Sequence, residues 1–206
     1  GDVNGDGYSD VLVGAPGWPF GVTNQWQGKA YLFLGSAGGL SASAAWTKTG
    51  PQTESRFGYS LSSAGDVNGD GYSDVIIGAY TQVNAPGTGE GGAYVFHGSG
   101  AGLPATASWS VVSQQHSPSN TSAFGTSVSL AGDVNGDGYD DVIIGDNYYE
   151  HAADGGANRG GAFVFHGSAA GLSATPDWAA YGANYGDEFG NCVSFAGDVN
   201  GDGYSD

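Results

Sequence analysis

The chain has 206 residues, 40 of them glycine, with 21 Asp+Glu against four Lys+Arg and a formal net charge of -17. That length supports one sizeable core, but glycine costs roughly 1 kcal/mol per helical position, so this composition argues against helices. So few cations leave no basic patch for nucleic acid or an anionic membrane surface, and no apolar run approaches the roughly 18–20 residues of a membrane span.

Aromatic and β-branched residues come in short bursts between Gly, Asn, Asp and Ser, which reads as all-β. The chain opens on GDVNGDGYSD (1–10), followed by the strand segments DVLVGAP (10–16), GKAYLFLGS (28–36) and GLSASAAW (39–46). A second set follows: FGYSLSSAG (57–65), the same decapeptide at 65–74, DVIIGAY (74–80), GGAYVFHGS (91–99) and GLPATASW (102–109). A third runs through FGTSVSLAG (124–132), GDVNGDGYDD (132–141), DVIIGDN (141–147), GGAFVFHGS (160–168) and GLSATPDW (171–178). FGNCVSFAG (189–197) and a last GDVNGDGYSD (197–206) end the sequence.

The decapeptides are spaced by 64, 67 and 65 residues, and each full period holds four strand segments, A to D. Four short strands per repeat are the content of a propeller blade. Segments B and C are apolar on both faces, as in a sheet sandwiched between neighbours; an eight-stranded barrel does not suit this period. The expected organisation is a single partial β-propeller. Blade 1 spans 1–55 without a strand A, blade 2 spans 56–122, blade 3 spans 123–187, and 188–206 supplies strand A and the loop of a following or shared blade. Three blades do not easily ring an axis, so two copies closing a six-bladed ring are the expected assembly.

Thirteen of the 21 acidic residues lie in the decapeptides. Oxygen-bearing side chains stand at positions 1, 3, 5 and 9, a glycine at position 6 permits a tight turn, and the carbonyl of the tyrosine at position 7 can add a ligand. The candidate ligands are Asp2, Asn4, Asp6, Tyr8 and Asp10; Asp66, Asn68, Asp70, Tyr72 and Asp74; Asp133, Asn135, Asp137, Tyr139 and Asp141; and Asp198, Asn200, Asp202, Tyr204 and Asp206. Hard oxygen donors, several of them charged, point to Ca2+, about one per loop. An EF-hand would need a bidentate Glu at position 12 and a following helix. Here position 12 is Val13, Ile77 or Ile144, inside a strand, so the position-9 Asp must close the site.

FG…DVNGDGYSDVIIGA resembles the FG-GAP repeat of integrin α-subunit propellers, of bacterial secreted proteins and of some fungal lectins. The resemblance covers the whole chain and implies calcium loops on one face, ligands on the other, and about seven blades in the usual family member. Gly145-Asp146 departs from the family's Gly-Ala.

Other motifs are weak. GTGEGG (87–92) opens no helix, so it does not read as a nucleotide loop. The lone Cys192 aligns with Ser60 and Ser127 in a small strand-A slot, His97 and His166 align with Leu34, and Trp46, Trp109 and Trp178 recur at one structural position. Trp18, Phe20, Trp26, Tyr148, Tyr149, His151 and Arg159 do not recur. They occupy the B–C connections, the variable loops of a rigid scaffold, where binding usually resides. All but Phe20 are taken as candidate ligand-binding residues. The expected function is an extracellular, calcium-stabilised recognition or adhesion module without catalysis, for a protein or glycan ligand. The alternatives are a propeller lectin and the non-catalytic part of a secreted polysaccharide- or lipid-degrading enzyme.

Overall fold

The computed structural model describes residues 1–21, 25–82, 90–113, 122–151 and 157–206. Among them no helix forms. Strands β1 (Val11–Ala15), β2 (Lys29–Phe33) and β3 (Trp46–Thr49) pair antiparallel in that order. Strands β4 (Leu61–Gly65), β5 (Asp74–Gly78), β6 (Gly92–Phe96) and β7 (Trp109–Val112) form a four-stranded antiparallel meander. The third sheet repeats it with β8 (Ser127–Gly132), β9 (Asp141–Asp146), β12 (Gly161–Phe165) and β13 (Trp178–Tyr181). A small hairpin, β10 (Glu150–His151) and β11 (Ala157–Asn158), rises from the β9–β12 connection. These are blades of a propeller, as the repeat predicts.

The apolar core lies between the blades rather than within them. Ala30 and Leu32 of the first blade meet Phe57, Val75, Ile77 and Phe96 of the second. The opposite face of that second sheet, with Ala64, Ile76 and Val95, meets Phe124, Val142, Ile144 and Phe165 of the third. Every residue of β5 is therefore buried, which is why DVIIG shows no alternation of polar and apolar residues. Trp46 crosses the first seam: its ring stands edge-on to Phe96, centroids 5.1 Å apart, and its Nε1 donates to the Pro104 carbonyl at 3.0 Å. Trp109 repeats both contacts across the second seam, on Phe165 at 5.2 Å and the Ser173 carbonyl at 3.0 Å. Trp178, with no following blade here, is 50% exposed.

The recurring Phe-Gly and Gly-Ala pairs have a steric origin. Gly58 donates its N–H to the Gly78 carbonyl of its own blade at 3.0 Å, while its carbonyl presses on Gly14 of the preceding blade. A Cβ on Gly14 would stand 2.0 Å from that oxygen, and one on Gly78 or Gly145 would stand 2.1 or 1.9 Å from the Gly125 or Gly190 oxygen. The last segment, 189–197, differs from its expected strand. Phe189 bridges Gly160, but 193–198 join no ladder, because the strand B that would pair with them is not among these residues.

Candidate functional site

Each decapeptide forms the A–B turn of a blade, except the first, which leads into β1, and the last, which follows 189–197. A register shift precedes the second and third loops, between Ser63 and Gly65 and between Leu130 and Gly132; Gly65 and Gly132 take φ of 75° and 73° there and swing the chain out of the sheet. The four loops then fold alike. Asp66 Oδ2 accepts from Gly71 N–H at 2.8 Å and its Oδ1 from Asp70 N–H at 3.0 Å; Asn68 Oδ1 accepts from Asp70 N–H, and Asp70 Oδ1 from Tyr72 N–H, each at 3.0 Å. Asp2, Asp133 and Asp198 hold their own loops in the same way. Backbone donors, Gly7 first, lower the Asp2 carboxyl below its ordinary range, as expected for a carboxylate gathering several N–H groups.

In the second and third loops the position-9 carboxylates sit deeper. Asp74 is fully buried and spans the blade's end, accepting from Val67 N–H at 3.0 Å and Gly98 N–H at 2.8 Å. Asp10 and Asp141 make the equivalent pairs with Val3 and Gly35 and with Val134 and Gly167. Asp206 accepts from Val199 N–H alone. Burial pushes the Asp74 carboxyl up to about 7, with Asp70 and Asp66 adding like-charge repulsion.

Successive loops also touch one another. The Tyr72 ring covers Gly5, and the Tyr139 ring covers Gly69. Ser73 and Asp2 exchange hydrogen bonds at 2.9 and 3.1 Å, and Asp140 and Asp66 do the same at 3.2 and 2.8 Å. Sequence reasoning gave these tyrosines only a carbonyl role. His97, aligned with Leu34 in the repeat, turns its Nδ1 to within 3.2 Å of Asn68 Nδ2, at the edge of the second loop.

The donor set suits a hard cation, because each loop offers only carboxylate, amide and carbonyl oxygen. Each carboxylate has about four acceptor sites, so the backbone contacts leave lone pairs for a metal while fixing the rotamers. In the conformation described, these oxygens are turned toward the loop's own N–H groups, and no three acidic, His or Cys side chains among the described residues converge as a metal cage.

The B–C and D–A connections lie at the opposite end of the blades. Trp18, Trp26 and Tyr148 are exposed there, and Phe20 almost completely so. Tyr149 is half-buried: it packs on Phe163 at 5.0 Å and stacks on Tyr181 at 5.1 Å, against the second seam. Arg159 precedes β12, and its N–H donates to the Tyr149 carbonyl at 3.1 Å. His151 lies in β10, and its side chain is outside the described residues.

Asp146, the residue that departs from Gly-Ala, is fully buried at this end. Its Oδ2 accepts from Ser122 Oγ at 2.6 Å, and its Oδ1 from Ala123 N–H at 2.9 Å and Tyr148 N–H at 3.2 Å. Burial pushes its carboxyl up to about 6. It therefore ties the D–A connection to the B–C turn of the third blade.

Blades that share their cores across seams and carry one acidic loop per A–B turn define a class, an arc of a β-propeller. The FG-GAP repeat profile matches residues 1–33, 57–96 and 124–165, and the chain belongs to the FG-GAP repeat family. It is 37% identical over 153 residues to integrin alpha-PS2 of Drosophila melanogaster and 34% identical over 156 residues to integrin alpha pat-2 of Caenorhabditis briggsae. It is 33% identical over 144 residues to integrin alpha-7 of Homo sapiens. Each match covers 70% of this chain, which spans only 11%, 12% and 11% of those three relatives.

Proposed function

We propose that the chain is part of an extracellular recognition propeller of the integrin type, stabilised by calcium and without catalysis, whose ligand meets the end opposite the acidic loops. The likeness to integrin α-subunits supports adhesion as its purpose. The observation that carries the calcium reading is the recurrence of one loop fold with alternate oxygen ligands pinned in place. Asp66, Asn68, Asp70, Asp74 and the Tyr72 carbonyl, with their equivalents in the other loops, would hold the ion. Bound there, calcium would neutralise the clustered carboxylates and lock each loop against its neighbour.

The experiment is a thermal melt in EDTA, in added calcium and in added magnesium. At a calcium concentration of 100 times Kd each site adds roughly 2.7 kcal/mol, so EDTA lowers the Tm and calcium restores it. Magnesium rescues poorly, because it holds its waters and demands a tight octahedron. An unchanged melt in EDTA, with no calcium found by elemental analysis, refutes the reading.

A lectin is the second reading, favoured by the exposed rings of Trp18, Phe20 and Trp26 at the ligand end. The sheet faces that carry Val11 and Val13 on blade 1 and Trp178 on blade 3 are open, whereas their internal counterparts are covered by a neighbouring blade. In this proposal further blades cover them, from the same protein or from a second copy; two copies closing a six-bladed ring are the simplest closed form.

A further inference from the structure

Two cations at the ligand end stand on aromatic rings. The Arg56 guanidinium lies 4.3 Å from the Trp26 centroid and 5.8 Å from that of Tyr80, and Tyr80 leans on Tyr59 with centroids 4.4 Å apart. Lys29 Nζ lies 5.2 Å from the Trp18 ring and 5.1 Å from that of Tyr31. Backbone hydrogen bonds hold the two groups in one neighbourhood: Arg56 N–H donates to the Trp26 carbonyl at 3.0 Å, and Gly28 N–H to the Trp18 carbonyl at 2.8 Å.

Charge makes this placement informative. The chain has 21 carboxylate residues for four Lys and Arg, yet among the described residues neither Arg56 nor Lys29 forms an ion pair. Glu54, two residues from Arg56 and exposed, is not engaged with it. The guanidinium lies over the Trp26 ring, and its N–H donors have no acceptor among the described residues. A cation seated over aromatic rings, half-exposed and without a carboxylate partner among the described residues of so acidic a protein, is prepared for a carboxylate that arrives from outside.

We propose that this cluster binds a carboxylate-bearing sugar, of the uronic acid class, on a glycan. The part of the Trp26 ring that Arg56 leaves uncovered, in a residue 47% exposed, packs beside the apolar face of the pyranose. Arg56 takes the carboxylate through its paired N–H donors, and Lys29 on Trp18 adds a second positive contact. A glycan fits better than an acidic peptide. Trp18, Trp26, Arg56, Tyr59 and Tyr80 all lie in connections, so they offer ring faces but no strand edge to which a peptide could add its main chain. The inference rests on the recognition-module reading and names its ligand.

The test uses the whole chain in constant calcium and follows tryptophan fluorescence during titration with trigalacturonate, with its methyl ester and with a Glu-rich peptide. Trigalacturonate binds, the ester binds about tenfold or more weakly, and the peptide does not bind. Arg56→Gln loses about tenfold in affinity for trigalacturonate with its melt unchanged, and no longer distinguishes acid from ester; Arg56→Lys recovers part of the loss. If Arg56→Gln fails to fold, Lys29→Gln and the acid-to-ester ratio of the unaltered protein decide. Equal binding of acid and ester, no binding of either, or peptide binding abolished by Arg56→Gln overturns the proposal. None of these results bears on the EDTA melt, so failure here and failure of the calcium reading are separable.

Discussion

Replacing Asp146 by Asn isolates one buried charge without changing the shape of its site. Burial lifts the carboxyl to about 6 in the fold from an ordinary 3.8, and each pH unit between the two corresponds to about 1.36 kcal/mol. Holding it ionised therefore costs roughly 3 kcal/mol relative to holding it protonated, even with its Ser122, Ala123 and Tyr148 donors in place. The sign follows from the upward displacement. The stability this group confers is complete below pH 3.8, fades as pH rises through about 6, and is absent above that. Asn imitates the protonated form. Asp146→Asn is thus more stable than the parent at pH 8, by up to roughly 3 kcal/mol, and the two converge as pH falls toward 4. Urea unfolding of both proteins at pH 8, 6 and 4.5, with calcium held constant, measures the difference free of every other titrating carboxylate. A variant less stable by the same amount at all three values refutes the reasoning, because hydrogen bonds to the carboxylate would then outweigh its desolvation.

Gly78→Ala places a methyl group 2.1 Å from the Gly125 carbonyl oxygen, so the blades must separate; the expected loss is about 1–3 kcal/mol in urea unfolding, and a neutral result would show that the seam yields. Trp109→Ala empties a seam and removes the bond to Ser173, costing about 3–5 kcal/mol, while Trp178→Ala at the half-exposed equivalent position costs under about 1 kcal/mol. Equal losses at the two tryptophans would mean that the ring is needed within its own sheet and not by the next one.

Strands and seams were legible in the sequence because a blade has few solutions. A β-branched run bounded by Asp and Gly, repeated near 65 residues, fixes both the sheet and its burial on two faces. The acidic loops were legible as turns for a related reason, since Asp, Asn and Gly at fixed intervals end a strand and bond the loop's own N–H groups. Recurrence was a poorer guide to the end opposite the acidic loops. It singled out Trp18 and Trp26 because they stand alone, but it gave no means of pairing Trp26 with Arg56 and Tyr80, which meet only when three connections fold together. It also selected Tyr149, whose ring serves the second seam. Asp146 was visible as a departure from Gly-Ala, but its burial was not, because that depends on Ser122 and Ala123 reaching over it from the preceding connection.

With apolar cores placed between sheets, no blade owns one. Blades in an open row have one seam fewer than their number, and bending the row into a circle adds a seam without adding a residue. Closure therefore brings burial with no new chain to order, and the ring gains from it, because the two end blades, each held by one seam in the row, are then held by two like every other blade. A sequence of this kind can be lengthened or shortened by whole periods and keep its interior, since both seams are built from apolar residues at equivalent places in the repeat.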